Sequence, residues 1–177
     1  FSLRGRGTVP CAVEAGATDA RLAPLWSSLD HDMSWETLTT VVADAPLPVI
    51  VKGLVRADDA IKALDLGAAG VVVSNHGGRQ LDTSVATARA LPAVVDAVAG
   101  RGAVLVDGGI RSGLDVAKAL ALGADAALVG RAPLWGLGVG GEQGVAAVLR
   151  ILREEFERSM TLLGARAVAD LTRDLLS

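Results

Sequence analysis

Four places in this 177-residue chain gather residue types that bind anions or move protons. The first is Lys52, at the end of an apolar run. The second is Ser74-Asn75-His76-Gly77-Gly78-Arg79-Gln80-Leu81-Asp82. The third is Asp107-Gly108-Gly109-Ile110-Arg111-Ser112, and the fourth is Gly130-Arg131. His76 has the chemistry of a general base, because imidazole titrates near neutral pH, and it sits on a glycine-flanked loop. A surface histidine with no role is the plainer reading of the same residue. Arg79, three residues on, has the planar fork that clamps a carboxylate, or it is a solvated arginine. An ammonium buried at Lys52 requires an anionic partner, either a ligand or a structural carboxylate such as Asp107. The third and fourth clusters read as an anion site. Glycines let a ligand approach the backbone, N–H groups at a helix start attract phosphate, and Arg111 and Arg131 add charge-assisted bonds. Asp-Gly-Gly by itself is also a common turn. His31, within the charged run at 30–34, reads as part of a solvated face.

The elements that carry these clusters alternate regularly. Short apolar bursts predict strands at 48–52, 70–74, 103–107 and 126–130, the pattern of strands buried on both faces of a parallel sheet. Helices are predicted at 57–66, 83–99 with a break near Pro92, and 113–122. Gly67 and Gly123 are placed for left-handed helix ends and Ser112 for a helix start. Earlier in the chain a helix fits 35–42, and residues 4–8 read as loop. Later, a glycine-rich turn (Gly138, Gly140, Gly141) follows Gly136, a helix spans 143–163, and a last short helix covers 166–175. An internal repeat at an offset of 56 residues matches Asp59, Lys62, Ala63, Leu64, Leu66, Gly67 and Ala68 to Asp115, Lys118, Ala119, Leu120, Leu122, Gly123 and Ala124. Gly53 matches Gly109, and Val73 matches Val129, in the same way. Repeated strand-helix-strand units imply a parallel α/β sheet, either open and doubly wound or closed as a (β/α)₈ barrel. In both, ligands bind at the carboxyl ends of the strands, where all four clusters fall.

Composition narrows the function classes. The length suggests one domain, and 51% hydrophobic residues exclude disorder. Mean hydropathy is +0.44, yet no apolar run is long enough to span a bilayer. A net charge of −3 and the lack of a basic stripe argue against nucleic acid as partner. Cys11 is the sole cysteine, so no internal disulfide forms, in keeping with a reducing, cytoplasmic setting. The first residues have no apolar core of the secretory kind.

Taken together, the nine-residue segment from Ser74 to Asp82 resembles the active-site signature of the FMN-dependent 2-hydroxy acid oxidases and dehydrogenases. Pro48-Val49-Ile50-Val51-Lys52-Gly53, Asp107-Gly108-Gly109-Ile110-Arg111 and Gly130-Arg131 resemble the flanking family motifs in the same order. The resemblance covers roughly residues 35–164. It implies a TIM barrel binding FMN, and no metal, at its C-terminal face. Lys52 would then lie near the flavin N1 and O2 and stabilise negative charge on the reduced ring. Ser74 would contact the flavin or its ribityl chain. His76 would be the base that accepts the substrate's proton, and Arg79 would bind the substrate carboxylate. Asp107, Gly108, Gly109 and Arg111 would hold ribityl and phosphate groups, with Gly130 and Arg131 completing the phosphate cradle. The implied reaction is oxidation of a 2-hydroxy acid to a 2-oxo acid.

A full barrel needs about 250 residues, and the four βα units here correspond to strands five to eight. Residues 1–177 are therefore expected to be the C-terminal part of a single FMN-binding domain. A missing N-terminal half would supply a tyrosine pair, a second substrate arginine and a carboxylate that orients the histidine. This chain contains no tyrosine. The resemblance favours an oxidase, with an aryl substrate such as mandelate, in a homo-oligomer, a tetramer in many family members. The alternatives are a dehydrogenase using another acceptor, a different phosphate-binding barrel enzyme, and a half-barrel that binds phosphate ligands without turnover.

Overall fold

The computed structural model describes residues 33–176. Its centre is a four-stranded parallel sheet in the order β1-β2-β3-β4, formed by Ile50–Leu54, Gly70–Val73, Ala103–Val106 and Ala126–Ala127. The strands are joined by helices α2 (Ala57–Asp65), α3 (Thr87–Val98) and α4 (Gly113–Ala121), and α1 (Trp35–Asp44) precedes them. After β4 comes α5 (Arg131–Leu163) and then two single 3-10 turns. Every strand pairing is parallel, so all chemistry-bearing loops leave the same end of the sheet, and strand order follows chain order without reversal. Among the described residues, no helix is long and apolar enough to cross a membrane.

Alternation along the strands divides the sheet into two faces. Leu54, Val71, Val73, Val104 and Val106 pack with Ala60, Leu64, Leu91, Val94 and Val98 of the helices to form the core. Val72 and Leu105, with Ile50, turn to the opposite face, where Lys52 is in register with Val72 and Val72 with Leu105. Ser74 and Asp107 continue those two strands by one further residue pair, so they share that face with Lys52.

The repeat has a structural counterpart. Gly67 and Gly123 follow α2 and α4 with φ of +97° and +106°, a conformation that costs other residues energy. Ser112 caps α4 as expected: its hydroxyl accepts from Asp115 N at 3.2 Å, while Asp115 accepts from Ser112 N at 2.9 Å. Such a reciprocal cap is worth about 1 kcal/mol.

Several boundaries depart from the sequence reading. β1 runs past Lys52 through a bulge at Gly53, so Lys52 lies within the strand. β4 pairs over only two residues because β3 is its one neighbour among the described residues and the chain leaves the extended region by Gly130. α3 passes through Pro92 unbroken. Proline removes one helical bond, to Ala88 on the exposed side, and the buried face of Ala90, Leu91, Val94 and Val98 holds the rest. The glycine-rich segment is not a long turn. α5 begins at Arg131 and breaks only at Gly140–Gly141, where Gly141 has φ +57° and ψ −140°. Gly136 and Gly144 instead let the two limbs of α5 touch; a Cβ on Gly144 would lie 1.9 Å from Gly136 O. The expected last helix is two 3-10 turns, Val168–Asp170 and Arg173–Leu175. Asp170 takes the backbone N–H groups of Arg166 and Ala167 at 2.7 and 2.8 Å, a local alternative to the helix ladder. His31, Cys11 and the loop expected at 4–8 lie outside the described residues.

Candidate functional site

The loops at the carboxyl end of the sheet enclose a cleft of about 260 Å³. Lys52, His76, Arg79, Asp107, Gly108, Gly109, Arg111, Gly130 and Arg131 all line it, joined by Gly77, Gln80, Ile110, Leu128, Ala132 and Trp135. Ser74 is the one expected site residue that does not. It is fully buried beneath the cleft, against Lys52 and His76.

Lys52 answers the requirement for an anionic partner. Its Nζ lies 2.7 Å from Asp107 Oδ2 and donates to Ser74 Oγ at 3.0 Å. The structural ion pair and the position in the cleft are both realised. The other carboxylate oxygen of Asp107, Oδ1, is buried without a hydrogen-bond partner. A buried acceptor of this kind calls for a donor. Asp107 is held from behind by its own carbonyl, which accepts from Thr87 Oγ1 at 2.5 Å.

His76 stands on a tight 3-10 turn, His76–Gly78, with φ of +56°, unusual for a residue with a Cβ. Three contacts keep it there. Its N–H donates to Ser74 Oγ at 3.1 Å, Asn75 Oδ1 accepts from Gly77 N at 3.0 Å, and Asn75 Nδ2 donates to Val85 O at 3.2 Å. The imidazole rests on the bulge of β1, where a Cβ added to Gly53 would lie 2.8 Å from His76 Cε1. Gly53 also has φ of +104°. Gly53→Ala is therefore expected to lower stability by about 1–3 kcal/mol, read by urea unfolding, and to push the imidazole out of its seat. Burial holds the His76 pKa below the ordinary histidine value, and the charge of Lys52 adds to this, while Asp107 pulls the other way.

Two helix starts lie at the end of the cleft where an anion site was expected, and they are not equivalent. At α4 the carboxylate of Asp115 already accepts from Arg111 N at 3.0 Å and from Ser112 N at 2.9 Å. Glu155 of α5 takes Gly113 N at 2.8 Å. Burial raises the Asp115 pKa, but the hydrogen bonds from Arg111 and Ser112 outweigh it and hold the carboxyl below its usual range. At α5 the N-cap is Gly130, with no side-chain cap, and a Cβ there would meet nothing within 4 Å. The open helix start is thus that of α5, beside Arg131. Arg111 reaches the same cleft with its guanidinium 6.0 Å from the centre of the Trp135 ring. Neither arginine pairs with a carboxylate among the described residues. Arg131 also lies over the His76 turn: a Cβ on Gly77 would be 3.3 Å from Arg131 Nη2.

The sequence reading passed over Gly53, Asn75 and Trp135 as site residues. Trp135 was the most accessible of these, one helical turn after Arg131, had the helix been started there. Asn75 sits inside the quoted signature, but its two anchoring bonds depend on Val85 and on the turn.

The profile of the family described as FMN-dependent dehydrogenase matches residues 6–177. An L-lactate oxidase of Roseobacter sp. (strain GAI101) is 58% identical over 142 residues, 80% of this chain and 38% of that protein. An L-lactate dehydrogenase of Pseudomonas putida (strain W619) is 49% identical over 152 residues, 86% of this chain and 40% of that protein. A crystal structure of mandelate oxidase with (S)-2-phenylpropionate aligns with a TM-score of 0.77 at 50% identity, over 80% of this chain and 42% of that one. A mutant mandelate oxidase with a monooxide FMN adduct aligns equally well, with a TM-score of 0.77. The chain spans about two fifths of the length of these curated relatives.

Proposed function

Since this chain belongs to the FMN-dependent dehydrogenase family, we propose that it carries the cofactor and base side of an enzyme oxidising a 2-hydroxy acid to a 2-oxo acid. The observation that carries this reading is the meeting of His76, Arg79, Lys52 and the two cradle arginines in one cleft.

The residues present suit FMN. Asp107 Oδ1 is buried and lacks a donor, which a ribityl hydroxyl supplies. The uncapped start of α5 at Gly130, with Arg111 and Arg131, suits the phosphate. Gly109, at φ of +79° and with nothing within 4 Å of where a Cβ would stand, keeps the backbone open to close approach, while Gly108, at φ of +93°, leaves room for Thr87 Oγ1. Ser74 lies beneath the cleft, where its hydroxyl oxygen holds Lys52 and the His76 N–H. When bound, FMN supplies the two-electron acceptor. Lys52 holds a positive charge, fixed by Asp107 and Ser74, where negative charge develops. Arg79 binds the substrate carboxylate, and the unprotonated nitrogen of His76 takes the substrate proton.

The finer reading is that residues 1–177 form strands five to eight of one TIM barrel, completed by an N-terminal half. It is supported by the unreversed strand order and by the apolar sheet face of Ile50, Val72 and Leu105, on which Ile50 is exposed. Dioxygen as final acceptor, with mandelate or lactate as substrate, fits the relatives named oxidase. The relative named L-lactate dehydrogenase favours a second reading, with another electron acceptor.

The test is the visible spectrum of the purified protein before and after anaerobic mandelate or lactate. Flavin bands that bleach, and return with hydrogen peroxide on admitting air, support the oxidase. Bands that return only with an added acceptor support the dehydrogenase. A bound flavin that no 2-hydroxy acid reduces overturns both.

A further inference from the structure

Ser74 closes β2 and is fully buried, yet it does not line the cleft that the other expected site residues share. Its Oγ accepts two hydrogen bonds, from Lys52 Nζ at 3.0 Å and from His76 N at 3.1 Å. A hydroxyl oxygen has two lone pairs, so both are committed within the protein. The donors come from different elements: Lys52 from the middle of β1, and His76 from the turn after β2. Each needs holding. Lys52 is a flexible four-carbon chain whose only other partner among the described residues is Asp107 Oδ2, at 2.7 Å. His76 occupies the left-handed region at φ +56°, which persists only where its surroundings over-determine it. Asn75 secures the neighbouring Gly77 N–H, so the turn does not depend on Ser74 alone.

We propose that Ser74 is a positioning residue that sets the distance and orientation between the lysine on the cofactor side and the histidine that acts as base. The proposal rests on the reading of His76 as the base. It adds a duty to the cofactor contact expected of Ser74, because both lone pairs of its oxygen are engaged within the protein.

The test compares Ser74→Ala, Ser74→Thr and His76→Gln in the flavin-loaded holoenzyme. Ser74→Ala removes the shared acceptor but keeps the volume nearly constant; Ser74→Thr restores the hydroxyl. At saturating FMN and substrate, Ser74→Ala is expected to slow anaerobic flavin reduction roughly 10- to 100-fold, the cost of a misplaced base. Substrate KM should stay within about threefold of wild type, because Arg79 is untouched. Ser74→Thr should recover most of the rate. The second readout is an NMR titration of the His76 ring. Among the described residues, the charged groups facing that ring are Lys52 from β1, Asp107 from the loop after β3, and Arg79 from its own turn. A ring released from its seat gains water and moves away from Lys52, so it takes up its proton at higher pH in Ser74→Ala and returns to the wild-type value in Ser74→Thr.

An unchanged rate and ring titration in Ser74→Ala, with a slow His76→Gln, overturns the positioning role and keeps the base. A shifted ring titration restored by Ser74→Thr, with His76→Gln as fast as wild type, keeps the positioning and overturns the base. Weaker FMN binding by Ser74→Ala, with wild-type reduction at saturation, leaves Ser74 as a cofactor contact only and overturns the proposal.

Discussion

His76→Gln is expected to slow anaerobic reduction of the bound flavin by about 10²- to 10⁴-fold, the usual contribution of a positioned general base. The amide keeps the size and a hydrogen-bonding edge but cannot accept a proton at neutral pH, so FMN binding should be unaffected. Stopped-flow absorbance at saturating substrate gives the rate directly. The ring is well placed for the task. It is seated on Gly53 and half-buried, and burial followed by the Lys52 charge lowers its pKa, with Asp107 opposing. The sign of the pH effect follows. A base works unprotonated, so a lowered pKa keeps it competent into mildly acidic solution. Activity should fall only when pH drops through a value below the ordinary histidine pKa of about 6.5. Wild-type reduction rates in His76→Gln, or an acid limb above that value, would rule the assignment out.

The double substitution Arg111→Gln, Arg131→Gln should weaken FMN by at least 100-fold. Each lost charge-assisted bond removes about 1.5–3 kcal/mol, and about 1.4 kcal/mol is a factor of ten. Riboflavin, which lacks the phosphate, should bind the variant and the wild type alike. Quenching of flavin fluorescence, titrated with both ligands, measures the two affinities. The asymmetry of the helix starts sharpens the expectation. Asp115 and Glu155 already occupy the N–H groups at α4, so the phosphate is left the uncapped start of α5 and the two guanidinium groups. If FMN and riboflavin lose affinity equally, the arginines do not hold a phosphate.

Much of this site was legible in the residues. The apolar bursts and the glycines that end helices predicted the parallel α/β alternation, because strand burial and helix termination are local properties of the backbone. The four expected strands and the helices between them appear, the last strand shortened to two residues, whereas the expected last helix is two 3-10 turns and the long helix starts twelve residues earlier than read. Where the reading failed, a tertiary contact overrode a local signal. Pro92 should have broken α3 but did not, because Leu91 and Val94 are locked in the core. The glycines after Gly136 read as a turn, although Gly136 and Gly144 serve a close helix crossing.

The sequence by itself determined which side chains could do the chemistry and that they lie at one end of the sheet. Residue type fixes proton and charge behaviour, and parallel strands send their loops the same way. The tertiary structure alone decided how those side chains meet. The bulge at Gly53 brings β1 under the imidazole, and Ser74 joins Lys52 to His76. Asp115 withdraws one helix start from ligand binding, and Arg131 reaches across to Gly77. Those contacts join residues far apart in the chain through strand register and backbone distances of a few ångströms, quantities that no local periodicity encodes.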